Sequence, residues 1–297
     1  MTGALPLVRP ASRRQPRLGL RPLRRAPLHG AILVVCCIWL LPTVGLLVSS
    51  FRPPSLVATT GWWTAFHWPL QLTLDNYRQV LSSYNMGTSF VNSLIITIPA
   101  TVIPILIAAY AGYAFAWMDF PGRQWLFLIV VGLLVVPLQT TFIPVLKLYV
   151  GLSLTGTFLG IWLAHTGYGL PLAVYLMRNF IGELPRDIIE SAVVDGAGHW
   201  TIFFRLVLPT SVAALASLAI FQFLWVWNDL LVALIFLGGQ PSVAPVTVTI
   251  SNLVNSLGQG WQLLTAAAFL SMALPLAVFF ALQGYFARGL LAGAVKG

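Results

Sequence analysis

Charge is what this chain has least of. Of its 297 residues only 8% are Asp, Glu, Lys or Arg, and 58% are hydrophobic; average soluble domains carry about 25% charged residues. A soluble fold of this length could not present enough polar surface to water. The bilayer must therefore be part of the solvent, which overrides the one or two soluble domains that length alone would allow. Lysine is nearly missing. Lys147 precedes Leu148 and Lys296 precedes the terminal Gly297, so neither completes G-x-x-x-x-G-K-[ST], the loop whose lysine reaches nucleotide phosphates. If ATP drives this protein, another polypeptide must bind it. Cysteine is limited to the adjacent Cys36 and Cys37, which are poorly placed to bridge each other, with no C-x-x-C and no metal-type spacing. They read as small buried apolar side chains. None of His29, His67, His165 and His199 pairs at i,i+4 with another His or with Cys, so no zinc-type site is visible. No G-x-S-x-G elbow occurs either. These absences leave a membrane enzyme without a nucleophile or a metal, and the expectation is that the chain is not an enzyme.

What is present is basic at one end. The formal net charge is +9, and Arg9, Arg13, Arg14, Arg17, Arg21, Arg24 and Arg25 crowd the first residues. Directly before an apolar run, such an arm reads as a topology determinant rather than a nucleic-acid footprint. Residues 1–28 form this basic arm, expected to be disordered because it has no apolar face to bury. The run Ala31–Val48 is longer than a signal-peptide core, and no A-x-A site follows, so it is expected to be an uncleaved first span, kinked at Pro42. Phe51–Ser89 is too polar to cross, and its Trp62, Trp63 and Trp68 suit a membrane–water interface.

Further apolar segments complete an expected permease domain, 29–297, with spans near 31–48, 90–117, 125–146, 157–177, 203–237 and 263–286. Each later segment offers the ~20 residues that a crossing helix needs. The fold class is therefore an all-α polytopic membrane protein with six transmembrane helices. An even number puts both termini on one side. With a cytoplasmic N-terminus, inner segments hold the arm arginines plus Arg123, Arg178, Arg186, Arg205, Arg288 and Lys296, against Arg52, Arg78 and Lys147 outside. That asymmetry follows the positive-inside rule and predicts cytoplasmic termini in a multi-pass cell-membrane protein.

The acidic residues also cluster. Glu183, Asp187, Glu190 and Asp195 fall in one cytoplasmic loop. Residues 183–196 read as a short helix with Pro185 in its first turn, Asp187 and Glu190 toward the positive end of its dipole, and Gly196 as its stop. Ile188, Ile189, Ala192 and Val193 are expected on one apolar face. So short a helix is unstable alone and needs a packing partner. In the fifth span Asn228 and Asp229 stand out, because ionisable side chains inside a membrane are expensive. A substrate path and an interhelical or subunit contact remain equal readings for them.

Glu190-Ser191-Ala192, Gly196 and Leu208-Pro209 resemble the cytoplasmic E-A-A…G…L-P motif of binding-protein-dependent ABC permeases. Ser191, small like the Ala it replaces, is the one departure. Trp225-Val-Trp227-Asn228-Asp229 is similar to the family's W-N-[DE] signature. Gln283–Phe286 and Gly289–Gly297 resemble the tail of the maltose-type second permease subunit, and Asp75-Asn76-Tyr77 and Phe120-Pro121-Gly122 add to the family resemblance elsewhere. The resemblance covers about 51–297. Thr60-Gly61-Trp62-Trp63 leans toward the α-glucoside and glucose branch.

This resemblance implies a type I ABC importer permease that carries a sugar or oligosaccharide. Its loop 183–209 would form a coupling helix docking on an ATPase, through Glu190, Ser191, Ala192, Asp195, Gly196, Ala197, Leu208 and Pro209. The implied partners are a second homologous permease, an ATPase dimer, an extracytoplasmic sugar-binding protein and the lipid bilayer, with no nucleic acid. No cofactor is expected on this chain; ATP and Mg would belong to the partner ATPase. The alternative is a stand-alone secondary transporter driven by an ion gradient. It predicts half-to-half symmetry with interrupted helices, and no such symmetry is visible in the sequence.

Overall fold

The computed structural model describes residues 21–253 and 260–294, with side chains described for 27–253 and 260–284. The arm residues before Arg21 and the end of the chain that contains Lys296 lie outside the described residues. Among the described residues every regular element is helical, and the all-α expectation is borne out.

In chain order the α-helices are α1 Arg21–Ser50, α2 Pro54–Thr59, α3 Asp75–Ser83, α4 Met86–Trp117, α5 Arg123–Leu133, α6 Leu138–Gly151, α7 Phe158–Gly182 and α8 Arg186–Val194. There follow α9 His199–Ile202, a π-helical turn Phe203–Val207, α10 Leu208–Thr210, α11 Val212–Trp227, α12 Leu231–Leu237, α13 Val246–Ser251 and α14 Trp261–Ala294. A 3₁₀ turn, Trp62–Phe66, lies between α2 and α3.

The chain divides into two compact units after Leu46. The first contains most of α1. Its apolar window is only 6% buried within the protein, and Cys36 and Cys37 are exposed rather than buried as expected. An apolar helix of this kind covers its surface with lipid instead of with its own chain, so small side chains on it have no core to enter.

The second unit carries the packing. Among the described residues of the whole chain, three helices are long and apolar enough to cross a membrane: Pro27–Ser50, Met86–Trp117 and Trp261–Gly284, or up to five if each of two bent pairs is one span. The 125–146 segment is not one straight helix. It is broken by 102° between α5 and α6, where Pro137 offers no N–H and disfavours helical backbone just before it. The 203–237 segment breaks twice. Its α9–α10 part is bent by 73° against α11, and the chain leaves helix again at Asn228 before α12. The helix α7 has the length, about 37 Å at 1.5 Å per residue, but His165, Thr166, Tyr168 and its glycines dilute its apolar character.

The α4–α7 crossing is the centre of the unit. A Cβ on Gly112 would lie 2.8 Å from the Arg178 amide nitrogen and 2.9 Å from the Met177 carbonyl carbon. The two backbones therefore touch, as small residues allow between membrane helices. Trp117 Nε1 donates to the Ile181 carbonyl at 2.9 Å, fastening the ends of the same pair.

Polar side chains of α4 fasten the segment after α12. Asn92 Nδ2 donates to the Ser242 and Ala244 carbonyls at 3.0 and 3.2 Å. Ser93 Oγ accepts from the Val246 amide at 2.8 Å, and Ser89 Oγ shares a 2.6 Å hydrogen bond with Thr249. Where water is absent, irregular backbone needs such partners. On the connection after α1, Asn76 Nδ2 donates to the Ser50 and Arg52 carbonyls, each at 2.8 Å. Arg52, almost wholly buried, donates to the Thr60 carbonyl and to the Thr60 and Thr64 hydroxyls. Asn76 lies in the Asp75-Asn76-Tyr77 stretch already singled out in the sequence, but its hold on the Ser50 and Arg52 carbonyls, 26 and 24 residues away, leaves no local pattern.

Candidate coupling segment and membrane site

The segment after α7 begins with Pro185 as the residue before α8 rather than inside its first turn. Asp187 occupies that first turn, where its charge meets the positive end of the helix. The far end closes as a Schellman turn. Gly196 N–H donates to the Val193 carbonyl at 3.0 Å and Ala197 N–H to the Ala192 carbonyl at 2.9 Å. Gly196 has φ +78°, the left-handed backbone that costs other L-residues about 1–2 kcal/mol. No atom stands within 4 Å of a Cβ built there, so the requirement for glycine is conformational, not steric.

The apolar residues of α8 do not share one face. Ile189 is buried, and Ala192, Leu184 and Ala197 pack with it on a core of α4 and α7 side chains that includes Tyr113, Met177 and Ile181. Ile188, Val193 and Val194 are exposed, Val194 by 86%. The single-face expectation is corrected: only Ile189 and Ala192 turn inward, and Ile188 and Val193, about 140° apart round the helix, flank that strip on opposite sides and stay exposed. Glu190, Ser191 and Asp195 are exposed. The carboxylates of Glu190 and Asp195 make no hydrogen bond or ion pair among the described residues.

After Gly196 the chain is held by aromatic contacts. Tyr113 Oη lies 3.0 Å from His199 Nδ1. Trp200 stacks on Tyr110 at 4.8 Å, and Phe203 meets the same ring edge-on at 5.1 Å. Leu208 packs on the α4–α7 core, whereas Pro209 is exposed immediately before the bend into α11. The structure thus brings Ala192, Ala197 and Leu208 onto one core and leaves Glu190, Ser191, Asp195, Gly196 and Pro209 facing outward. Tyr113, His199 and Trp200 were missed by sequence reasoning; a polar-aromatic pair far apart in the chain leaves no local pattern.

The second candidate pair sits at the end of α11. Asn228 is exposed, and its Nδ2 donates to the Leu224 carbonyl one turn back at 2.7 Å. Asp229 caps α12, accepting from the Val232 and Ala233 amides at 3.3 and 3.0 Å. Its Oδ2 is 3.8 Å from Nε2 of the fully buried His165. Thr247 Oγ1 donates to the Asp229 carbonyl at 2.6 Å. The carboxylate is thus occupied in restarting a helix after a break inside the apolar region.

The chain matches the binding-protein-dependent transport system inner membrane component family over residues 32–291 and belongs to it. It is 63% identical to the osmoprotective compounds uptake permease protein GgtD of Synechocystis sp., over 92% of this chain and 93% of that protein. It is 42% identical to the α-glucoside transport system permease protein AglG of Rhizobium meliloti, over 94% of this chain and all of that protein. The fold also matches a chain of a bacterial ABC transporter that imports alginate, with TM-score 0.60 and 18% identity over 90% of this chain and 97% of that one. The family resemblance read from the motifs is borne out.

Proposed function

We propose that the chain is the membrane-spanning subunit of an ATP-driven importer for a sugar or other glycoside, coupled to its ATPase through residues 183–209. The observation that carries this reading is the geometry of α8. Ile189 ties the helix to the α4–α7 core, while Ile188, Val193 and Val194 stay uncovered beside the free carboxylates of Glu190 and Asp195. A rigid, capped helix whose outer surface mixes uncovered apolar side chains with carboxylates is suited to seat in a partner's groove. Motion of that partner would pass through Ile189 into the helices that line the membrane. The name of AglG, an α-glucoside transport system permease, supports the cargo class.

In this reading both termini are cytoplasmic, and a second permease, an ATPase dimer and an external binding protein complete the machine. This chain holds no cofactor; ATP and Mg are used by the ATPase. A gradient-driven transporter working alone gains no support from the family. The test is uptake into proteoliposomes holding the assembled complex. Uptake should require ATP and the binding protein and should persist with a protonophore present. Uptake that collapses with the ion gradient and ignores ATP contradicts the proposal.

A further inference from the structure

The coupling segment meets the central helix pair at two places. One is Ile189, buried in the α4–α7 core. Apolar burial is non-directional, so Ile189 can be pressed into that core yet resists sliding only weakly. The other lies beyond Gly196 and is directional. Tyr113 is fully buried on α4, and its hydroxyl has one partner among the described residues, Nδ1 of His199 at 3.0 Å. His199 is exposed and opens α9. A buried hydroxyl without a partner is costly, so the bond holds the start of α9 against α4. Among the described residues, no other side chain between Arg186 and Pro209 hydrogen-bonds to α4 or α7.

Rings reinforce this bond. Tyr110, one turn before Tyr113, carries Trp200 stacked at 4.8 Å and 15°, and Phe204 stacks in turn on Trp200 at 5.7 Å and 11°. The buried Phe203 meets Tyr110 edge-on at 5.1 Å and 90°. Stacked and edge-on pairs add to what simple burial supplies. Tyr110 and Tyr113 thus hold α9, while Gly112 between them lets α4 touch the α7 backbone. The rings end in the π-helical turn Phe203–Val207, which separates α9 from the 73° bend into α11. Turns of this kind are rare and gather at functional sites.

Resting on the coupling reading of residues 183–209, we propose that Tyr113 and His199 are positioning residues of the transport cycle. Their hydrogen bond locks α9 to α4, so that a displacement of α8 in either direction is passed to the α4–α7 pair. The π-helical turn is the joint that lets α11 keep its own direction meanwhile. A role in packing alone needs the rings but not the hydroxyl, since a phenyl group fills nearly the same space as the phenol.

The experiment uses the full complex with its ATPase and binding protein in proteoliposomes, with labelled maltose, trehalose and sucrose as probes. Tyr113→Phe removes the hydroxyl and keeps the ring, and His199→Asn keeps an acceptor close to the position of Nδ1. Tyr113→Phe should assemble like the wild type with unchanged basal ATP hydrolysis. It should nevertheless lose roughly threefold or more, the order of one net hydrogen bond, in binding-protein-stimulated hydrolysis and in uptake of whichever probe the wild type carries. His199→Ala should lose as much, and the double variant Tyr113→Phe/His199→Ala no more than the worse single one. His199→Asn should keep most of both activities. Wild-type stimulation and uptake in Tyr113→Phe overturn the positioning role; if Gly196→Pro is inactive in the same assay, the coupling segment stands without it. Equal loss of basal and stimulated hydrolysis, or loss of the ATPase from the purified Tyr113→Phe complex, marks the tyrosine as structural and also overturns the proposal. If no probe enters the wild-type liposomes in response to ATP, the sugar-importer reading falls and this inference with it.

Discussion

Two glycines separate the kinds of constraint a single residue can carry. Gly196 is needed for its φ of +78° and has open space around it. Gly196→Asn, which tolerates left-handed backbone, should therefore retain most transport. Gly196→Val should cost about 1–2 kcal/mol of local order and lower uptake several-fold at unchanged membrane abundance, as read by transport normalised to immunoblot. Gly112 is needed for space, because the next backbone is 2.8 Å from its would-be Cβ. Gly112→Val should part α4 from α7 and lower the melting temperature of the detergent-purified protein, whereas Gly112→Ala should do so by less. The two positions look alike in the sequence. Only Gly196, standing after a helix-length apolar pattern, could be read there as a stop; Gly112 lies in an unbroken apolar run that gives no hint of its neighbour.

At the scale of the element, the fastening of α4 to the segment after α12 rests on Asn92. Asn92→Ala removes the donor from the Ser242 and Ala244 carbonyls and should cost about 2 kcal/mol if those oxygens find no water. Thermal unfolding in detergent measures this, and a melting temperature equal to wild type would mean that other donors replace the amide. The helix α8 was legible because its ends are chemical: an acidic first turn and a glycine stop read the same in sequence and structure. Its orientation was not legible, since Ile188 and Ile189 are equally apolar and only the position of the α4–α7 core decides that Ile189 turns inward. The break at Pro137 followed the same rule: proline marks where a span can bend, while the 102° angle depends on what each half packs against. The 73° bend falls after Pro209 and has no such mark in the sequence. The carboxylate of Asp229 was conspicuous as an intramembrane charge, but its use as the cap of α12 required knowing that the helix breaks at Asn228.

At the scale of the whole molecule, sidedness and coupling can each be measured. In the Cys-free background provided by replacing Cys36 and Cys37, single cysteines at Trp63 and at Val194 should behave oppositely in intact cells. Both sites are exposed, by 63% and 86%, so access depends on the side of the membrane. An impermeant maleimide should label Cys at 63 and not at 194; the reverse result would invert the topology. Coupling is the central claim, and its most direct measurement is the ATPase rate of the purified complex before and after adding binding protein loaded with substrate. Wild type should be stimulated several-fold. Gly196→Pro, which forbids positive φ and removes the N–H that closes the Schellman turn, and Glu190→Lys, which reverses the charge on the rim of α8, should insert normally yet lose most of that stimulation and the accompanying uptake. Full stimulation and full uptake in both variants would contradict the assignment of residues 183–209 as the element that transmits ATPase motion.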